Sequence, residues 1–136
     1  MKNLKVVQMF RDIARILEIK GDNPFRIRAY ERAAQNIEGL PEDLEEYARR
    51  GTLLEIPGIG RDLENKIKEI LETGKCKFFE ELKKTIPEGL LDILNIPSVG
   101  PKTAKLLFEE LDIKSIPDLE KAIEKSKLDN IPGIKE

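Results

Sequence analysis

A five-residue pattern recurs along the chain and limits the folds that the chain can adopt. It reads Ile-Pro-Gly-Ile-Gly at 56–60 and Ile-Pro-Ser-Val-Gly at 96–100, and it begins again as Ile-Pro-Gly-Ile at 131–134. Proline fixes the backbone where a preceding helix ends, and glycine permits the positive φ of a tight turn. Three copies that start 40 and 35 residues apart indicate one supersecondary unit used repeatedly.

The segments around the pattern have the apolar periodicity of helices with one buried face. Apolar residues recur every three or four positions over 4–20, 24–37, 44–48, 63–71, 78–82, 90–94, 104–111 and 117–127. No stretch alternates apolar and polar residues as a half-buried strand would. The sequence therefore predicts an all-α fold, a compact bundle of short helices with two complete helix-hairpin-helix units and the start of a third.

Local signals predict where several of these helices begin and end. Asn23 is suited to cap the second helix, and Pro24 to occupy its first position. Gly21, Gly51 and Gly74 are predicted to end the helices that precede them, because glycine readily adopts the left-handed conformation of a C-cap.

The composition excludes several kinds of chemistry. The chain has no His and one Cys, Cys76, which excludes His-based acid–base catalysis, Cys/His zinc sites and an internal disulfide. No apolar run approaches the roughly 18 residues of a membrane span, so we expect no membrane partner. The single cysteine favours a reducing, cytoplasmic setting. The richness in Ile, Leu, Lys and Glu suggests a thermophilic source.

Each copy of the pattern leaves backbone N–H groups at the start of the following helix, where anions bind. The second glycine of each copy also permits close approach by another molecule. Two such sites predict two phosphate grips on a nucleic-acid backbone. The net charge of −2 means that any such grip must be local. The alternative is a pair of tight helix–helix turns that bind no ligand.

These features resemble the helix-hairpin-helix motif, a non-sequence-specific DNA-binding device of repair proteins. Their order along the chain also resembles the N-terminal region of a bacterial or archaeal family X DNA polymerase, the polymerase beta-like family. Four segments carry this resemblance, which covers essentially the whole chain: 23–34, 56–60 with Lys66, 72–75 and 96–103.

The resemblance implies two domains. Residues 1–83 would form a lyase-type helical domain that binds the 5′-phosphate side of gapped or nicked DNA in base excision repair. Residues 84–136 would begin the polymerase portion and grip the primer strand. The third copy lacks a second helix, so we expect a piece of a longer protein. Its nucleotidyl-transfer centre, with carboxylates for Mg²⁺, would lie further on, and this chain alone would not polymerise DNA.

The resemblance also implies a possible 5′-deoxyribose-phosphate lyase site. Lys66 matches the nucleophile that forms a Schiff base with an abasic sugar, which requires a neutral amine. Tyr30 matches a tyrosine that lines the site, and Arg26 stands where lyases of the family carry a phosphate-binding lysine. Lys75 is a further candidate for phosphate binding. Helical geometry places Lys68 almost as close to the apolar stripe as Lys66, so geometry alone does not choose between them.

Three positions depart from the pattern of lyase-active members. Phe25, Asp62 and Phe78 stand where those members often carry His or Lys. Asp62 would place a carboxylate near the expected path of the phosphate. We therefore expect DNA binding to be retained and lyase activity to be weak or absent, which leaves open whether the chain is an enzyme.

The hairpins of the family further imply a monovalent cation, Na⁺ or K⁺, held by backbone carbonyls and bridged to a DNA phosphate. The matching carbonyls belong to Leu54, Ile56 and Ile59 in the first hairpin and to Leu94, Ile96 and Val99 in the second. Amides near the same corners would contact phosphates without reading bases. They belong to Gly58, Gly60, Ser98, Gly100, Lys102 and Thr103.

Two other functions remain compatible with the sequence. One is a non-catalytic helix-hairpin-helix module that tethers another activity to DNA. The other is a helical protein-interaction domain, which the net charge of −2 favours and which would show no salt-sensitive DNA binding. In each case we expect a monomer, and a DNA-binding chain would associate with the nucleoid.

Overall fold

The computed structural model describes residues 2–87, 89–94, 96 and 99–124. None of these residues lies in a strand, which confirms the all-α fold. The helices are α1 (Lys2–Ile19), α2 (Pro24–Glu38), α3 (Leu44–Arg50), α4 (Arg61–Thr73), α5 (Lys77–Lys83), α6 (Leu90–Leu94), α7 (Pro101–Leu111) and α8 (Ile116–Glu124). A 3₁₀ turn, Leu53–Glu55, precedes the first hairpin.

The predicted helix ends are confirmed where local chemistry sets them. The Asn23 side chain accepts a hydrogen bond from the amide of Phe25 (2.8 Å), with Pro24 as the first residue of α2. At the end of α1, Gly21 has a φ of 71°, and the amide of Asp22 donates to the carbonyl of Leu17 (2.9 Å). The amide of Gly21 also donates back into the last turn, so α1 ends in a Schellman motif.

The larger hydrophobic cluster is built around α1, which packs along α2. Its largest fully buried side chains come from the first four helices and the 3₁₀ turn: Phe10, Ile13, Ile16, Leu17, Ile37, Leu44, Leu53, Ile67 and Ile70. Asn3 is a polar residue buried in this unit. Its Nδ2 donates to the carbonyl of Glu42 (3.1 Å), and its Oδ1 accepts from the amide of Leu44 (2.8 Å). Asn3 thereby fixes the start of α3 to α1.

A smaller hydrophobic cluster holds the second hairpin unit. Its buried members are Ile19, Leu90, Ile93, Leu94, Ala104, Leu107, Ile113 and Ala122. Ile19 is the last residue of α1, so a helix of the N-terminal unit contributes to the C-terminal core, and α1 also packs against α7. The predicted division into 1–83 and 84–136 remains a prediction.

The structure describes only part of the C-terminal segment for which the sequence makes predictions. The last predicted helix, 117–127, corresponds to α8 (Ile116–Glu124) as far as the structure describes it. The third copy of the pattern, at 131–134, lies outside the described residues. Among the helices that the structure describes, none combines the length and apolar character required to cross a membrane.

Candidate nucleic-acid interface

The first hairpin is a type II turn. The amide of Ile59 donates to the carbonyl of Ile56 (3.1 Å) across Pro57 and Gly58, and Gly58 has a φ of 84°. A type II turn requires positive φ at its third residue and favours proline at its second. Ile56 and Ile59 are buried and anchor the turn in the core, whereas Pro57 and Gly58 are exposed. The predicted role of the first glycine is therefore confirmed.

The second glycine of each hairpin is not required by the backbone. Gly60 has φ −93° and ψ −176°, and Gly100 has φ −93° and ψ 176°, which any residue can adopt. A Cβ built on either glycine would meet no atom of the described residues within 4 Å. Neither backbone strain nor crowding within the protein therefore requires glycine at these two positions. Both positions are exposed, so another molecule can approach each of them from solvent.

Both glycines cap helices whose first amides have no side-chain cap. Gly60 is the N-cap of α4 and Gly100 is the N-cap of α7, and neither has a side chain that could accept from the first turn. Such amides are where helix N-termini bind anions. The two differ in charge, because α4 carries Asp62 and Glu64 in its first turn and α7 carries no acidic residue there.

The second hairpin has the same closing hydrogen bond as the first. The amide of Val99 donates to the carbonyl of Ile96 (2.9 Å), as Ile59 does to Ile56. Its central residues, Pro97 and Ser98, lie outside the described residues, so the predicted phosphate contact of Ser98 stays a prediction. Lys102 and Thr103 follow Pro101 in the first turn of α7, where Lys102 is exposed and Thr103 is half-buried.

The hairpin carbonyls suit a monovalent cation chemically. The carbonyls of Ile56 and Ile96 each accept the hydrogen bond that closes their turn. A carbonyl oxygen has two lone pairs, so one remains available on each. Hard cations prefer such neutral oxygen ligands. The cation itself stays a prediction for Leu54, Ile56 and Ile59 and for Leu94, Ile96 and Val99.

A separate cluster brings together four of the residues considered for the lyase site. The ring of Tyr30 stacks on the ring of Phe78, with centroids 6.2 Å apart and planes 8° apart. The Nζ of Lys66 lies 5.0 Å from the Phe78 centroid, and the Cζ of Arg26 lies 4.9 Å from it. Arg26 also pairs with Asp22 (3.4 Å). Tyr30, Lys66, Arg26 and Phe78 are therefore neighbours, which the sequence did not itself establish.

Lys66 is held as an ammonium in this cluster. Its Nζ donates to Oδ1 of Asp62 (2.8 Å), and its side chain is only 14% exposed. Burial acts to lower the pKa of Lys66, but the hydrogen bond to Asp62, the charge of Asp62 and the interaction with Tyr30 outweigh it, so the pKa is raised. A raised pKa leaves little of the neutral amine that a Schiff-base nucleophile needs.

Tyr30 has a polar atom without a partner. Its side chain is 2% exposed, and its hydroxyl is buried without a hydrogen bond among the described residues. Burial raises the pKa of Tyr30, and the nearby charge of Lys66 opposes that shift. Lys66 is thus close enough to interact with the hydroxyl.

Two other residues singled out in the sequence make no described side-chain contact with this cluster. Lys75 is exposed, and the hydrogen bonds that the structure describes for it join its backbone to the Thr73 hydroxyl (3.0 and 3.1 Å). Phe25 is 75% exposed, with the guanidinium of Arg28 over its ring at 4.9 Å. The phosphate-binding role of Lys75 stays a prediction.

The structure adds two residues that the sequence did not indicate. The Nδ2 of Asn36 on α2 donates to the carbonyl of Pro57 (2.6 Å). The Cγ and Cδ of Arg32 lie 3.5 and 3.7 Å from the position that a Cβ on Gly58 would take. Both contacts join segments more than 20 residues apart, and no local pattern points to them. Helix α2 therefore supports the first hairpin from outside the motif.

Tandem helix-hairpin-helix proteins share this arrangement of paired turns with open helix N-termini. A family model described as a helix-hairpin-helix domain matches residues 1–76, and one described as a SAM-like helix-hairpin-helix tandem matches 90–136. The chain therefore belongs to the helix-hairpin-helix family.

Two curated proteins refine this classification. The chain is 32% identical over 128 residues to the DNA polymerase/3′-5′ exonuclease PolX of Bacillus subtilis, covering 94% of this chain and 22% of that protein. It is 25% identical over 118 residues to DNA polymerase lambda of Rattus norvegicus, covering 86% of this chain and 19% of that protein. The resemblance to the N-terminal region of family X DNA polymerases is confirmed. The chain spans about a fifth of the length of these relatives.

Proposed function

We propose that the chain binds DNA through the sugar-phosphate backbone, at its two hairpins and without reading base sequence. The observation that carries the proposal is the pair of glycines at 60 and 100, which leave uncapped helix amides open to solvent although the fold does not need glycine there. Backbone amides at such corners can hydrogen-bond to phosphate oxygens. The family membership supports DNA binding as part of a repair polymerase.

The preferred substrate under this proposal is gapped or nicked DNA with a 5′-phosphate. The two hairpin units would hold the backbone on either side of the interruption, as in the family that the chain resembles. Na⁺ or K⁺ held by the hairpin carbonyls named above would supply positive charge between the protein and a phosphate. The net charge of −2 does not oppose this, because the contacts are local.

The cluster around Lys66 favours a binding role over a catalytic one. Schiff-base formation needs a neutral amine, whereas the ion pair with Asp62 keeps Lys66 charged. We therefore assign this chain at most weak 5′-deoxyribose-phosphate lyase activity. A non-catalytic tethering module is the second candidate function, and the Asp62–Lys66 ion pair is the observation that favours it.

Replacing the second glycine with asparagine tests the proposal without damaging the fold. Asparagine is a favourable N-cap, so Gly60→Asn and Gly100→Asn should maintain or raise the melting temperature. The new side chain would accept from the same amides and occupy the open space, so affinity for gapped 5′-phosphorylated DNA should fall. Fluorescence anisotropy measures the affinity, and thermal melting measures the fold.

The matched control is Gly39→Ala, at an exposed glycine whose Cβ would make only ordinary contacts (3.9 Å) and which lies outside both hairpins. It should leave DNA affinity unchanged. If the double variant Gly60→Asn/Gly100→Asn binds gapped DNA as tightly as the wild type, the hairpin amides do not carry the binding. Wild-type binding that does not weaken as salt rises would instead favour the protein-interaction function.

A further inference from the structure

The arginines of the chain divide into two groups by their partners. All eight lie within the described residues. Five make an ion pair with a carboxylate: Arg11, Arg15, Arg26, Arg49 and Arg50. For the other three, the described part of the chain provides no such pair. These are Arg28, Arg32 and Arg61, and all three are exposed.

Two of the three arginines without carboxylate partners, Arg32 and Arg61, border the first hairpin, and Arg28 lies earlier on α2. The stem of Arg32 lies against the Gly58 turn, and Asn36, one turn further along α2, donates to Pro57. Arg28 lies one turn before Arg32, so 28, 32 and 36 form a single row at i, i+4 and i+8, with a rise of about 6 Å per step. Arg61 is the first residue of α4, directly after the hairpin.

The three arginines place positive charge near the acidic residues that follow the first hairpin. The first turn of α4 contains Asp62 and Glu64, whereas the first turn of α7 contains no acidic residue. Lys66 pairs with Asp62 (2.8 Å) and Lys68 with Glu64 (3.9 Å), which neutralises both carboxylates within α4. The arginines therefore remain as the positive charge at this corner. Two carboxylates lie close by: Glu55, exposed directly before the turn, and Glu31, which borders the same surface depression as Arg28 and Arg32.

We propose that Arg28, Arg32 and Arg61 form a phosphate-binding track that extends the grip of the first hairpin along α2. The occupant is the backbone of the DNA strand held at that hairpin, so this inference rests on the proposed function. A guanidinium can donate two parallel hydrogen bonds to a phosphate. It is also weakly hydrated, so it loses little hydration energy when it binds one. The track would add side-chain contacts to phosphate beside a hairpin whose following helix, α4, begins with acidic residues.

Salt dependence of binding provides the test. Each phosphate contact contributes about 0.7–0.9 to the slope of log K against log salt. Arg32→Gln, Arg61→Gln and Arg28→Gln keep the side-chain stem and remove one charge, so each should lower the slope magnitude by about that amount on gapped DNA. Arg32→Lys should keep the slope and weaken binding, since it retains the charge and loses the fork.

Arg49→Gln is the matched control, because Arg49 is exposed on α3 and pairs with Glu46. Its slope should equal that of the wild type. The track is refuted if the wild type shows salt-dependent binding and the three glutamine variants keep its slope, or if Arg49→Gln lowers the slope equally. Absence of salt-dependent binding by the wild type would refute the proposed function itself, and the track with it.

Discussion

The Nζ of Lys66 lies 2.8 Å from Oδ1 of Asp62, one helical turn earlier on α4. The same ammonium lies over the ring of Phe78 and close to the buried hydroxyl of Tyr30. A lysine in this setting is a stable cation that can attract a phosphate and a poor nucleophile toward an aldehyde. The ion pair thus favours phosphate binding by Lys66 over nucleophilic attack.

Removing the charge of Asp62 should activate Lys66. In Asp62→Asn the hydrogen bond and charge that raise the pKa of Lys66 are weakened, while burial still lowers it. Each unit by which that pKa falls increases the neutral amine about tenfold. We expect more covalent adduct than with the wild type when borohydride traps the Schiff base on a 5′-deoxyribose-phosphate substrate.

Glu64→Gln is the control for this experiment, since it removes the corresponding partner of Lys68 on the same helix. It should not increase trapping. An equal increase with Glu64→Gln would point to a general effect of charge on α4, and no increase with Asp62→Asn would show that the ion pair does not limit the chemistry.

Asp12 should make the stability of the chain depend on pH. It is 9% exposed, and burial raises its pKa above 3.8, although Gln8, Arg15 and Lys83 oppose the shift. A raised folded-state pKa means that the folded state holds the proton more tightly than the unfolded state, so wild-type stability falls as pH rises through that pKa.

Asp12→Asn cannot titrate at this position, so the wild type should lose stability relative to Asp12→Asn on going from pH 3 to neutral pH. Urea unfolding at a series of pH values measures the difference. A difference that stays constant, or that changes in favour of the wild type as pH rises, would contradict the burial argument.

Asn3 should be important for stability although it lies near the start of the chain. Asn3→Ala removes both hydrogen bonds to the start of α3 and leaves the buried amide of Leu44 without a partner. An unsatisfied buried group costs about 1–3 kcal/mol, so we expect a loss of about 2 kcal/mol in chemical unfolding. Asn65→Ala, at an exposed position of α4, should cost nothing; an equal loss there would contradict the assignment.

The first hairpin should tolerate change at Gly58 poorly. Gly58 has a φ of 84°, and a Cβ there would lie 3.2 Å from Nδ2 of Asn36. Gly58→Ala should therefore cost about 1–2 kcal/mol in urea unfolding and weaken DNA binding. Gly39→Ala, at a φ of −87°, is the reference substitution. Equal stabilities of the two variants would show that the turn is not strained by a side chain.

Much of the fold could be predicted from the sequence because its signals are local. The side chain of Asn23 bonds to an amide two residues away, and Gly21 and Gly58 adopt the positive φ that their turns require. The repeated pattern likewise predicted two similar hairpins. Periodicity placed α1 and α4 because each has one apolar face.

The candidate site was predicted less completely. The Asp62–Lys66 pair is four residues apart on one helix, a spacing that predicts an ion pair. From the sequence we expected Asp62 only to place a carboxylate near the path of the phosphate. The stacking of Tyr30 on Phe78 joins α2 to α5, and no sequence pattern predicts it.

The sequence by itself determined the helices, their caps and the two turns, since each depends on residues within a few positions of one another. Only the tertiary structure decided that α2 supports the first hairpin through Asn36 and Arg32, and that Ile19 contributes to the second core. The physical reason is that such contacts depend on how helices pack, which the energy of the whole core sets and no local spacing records.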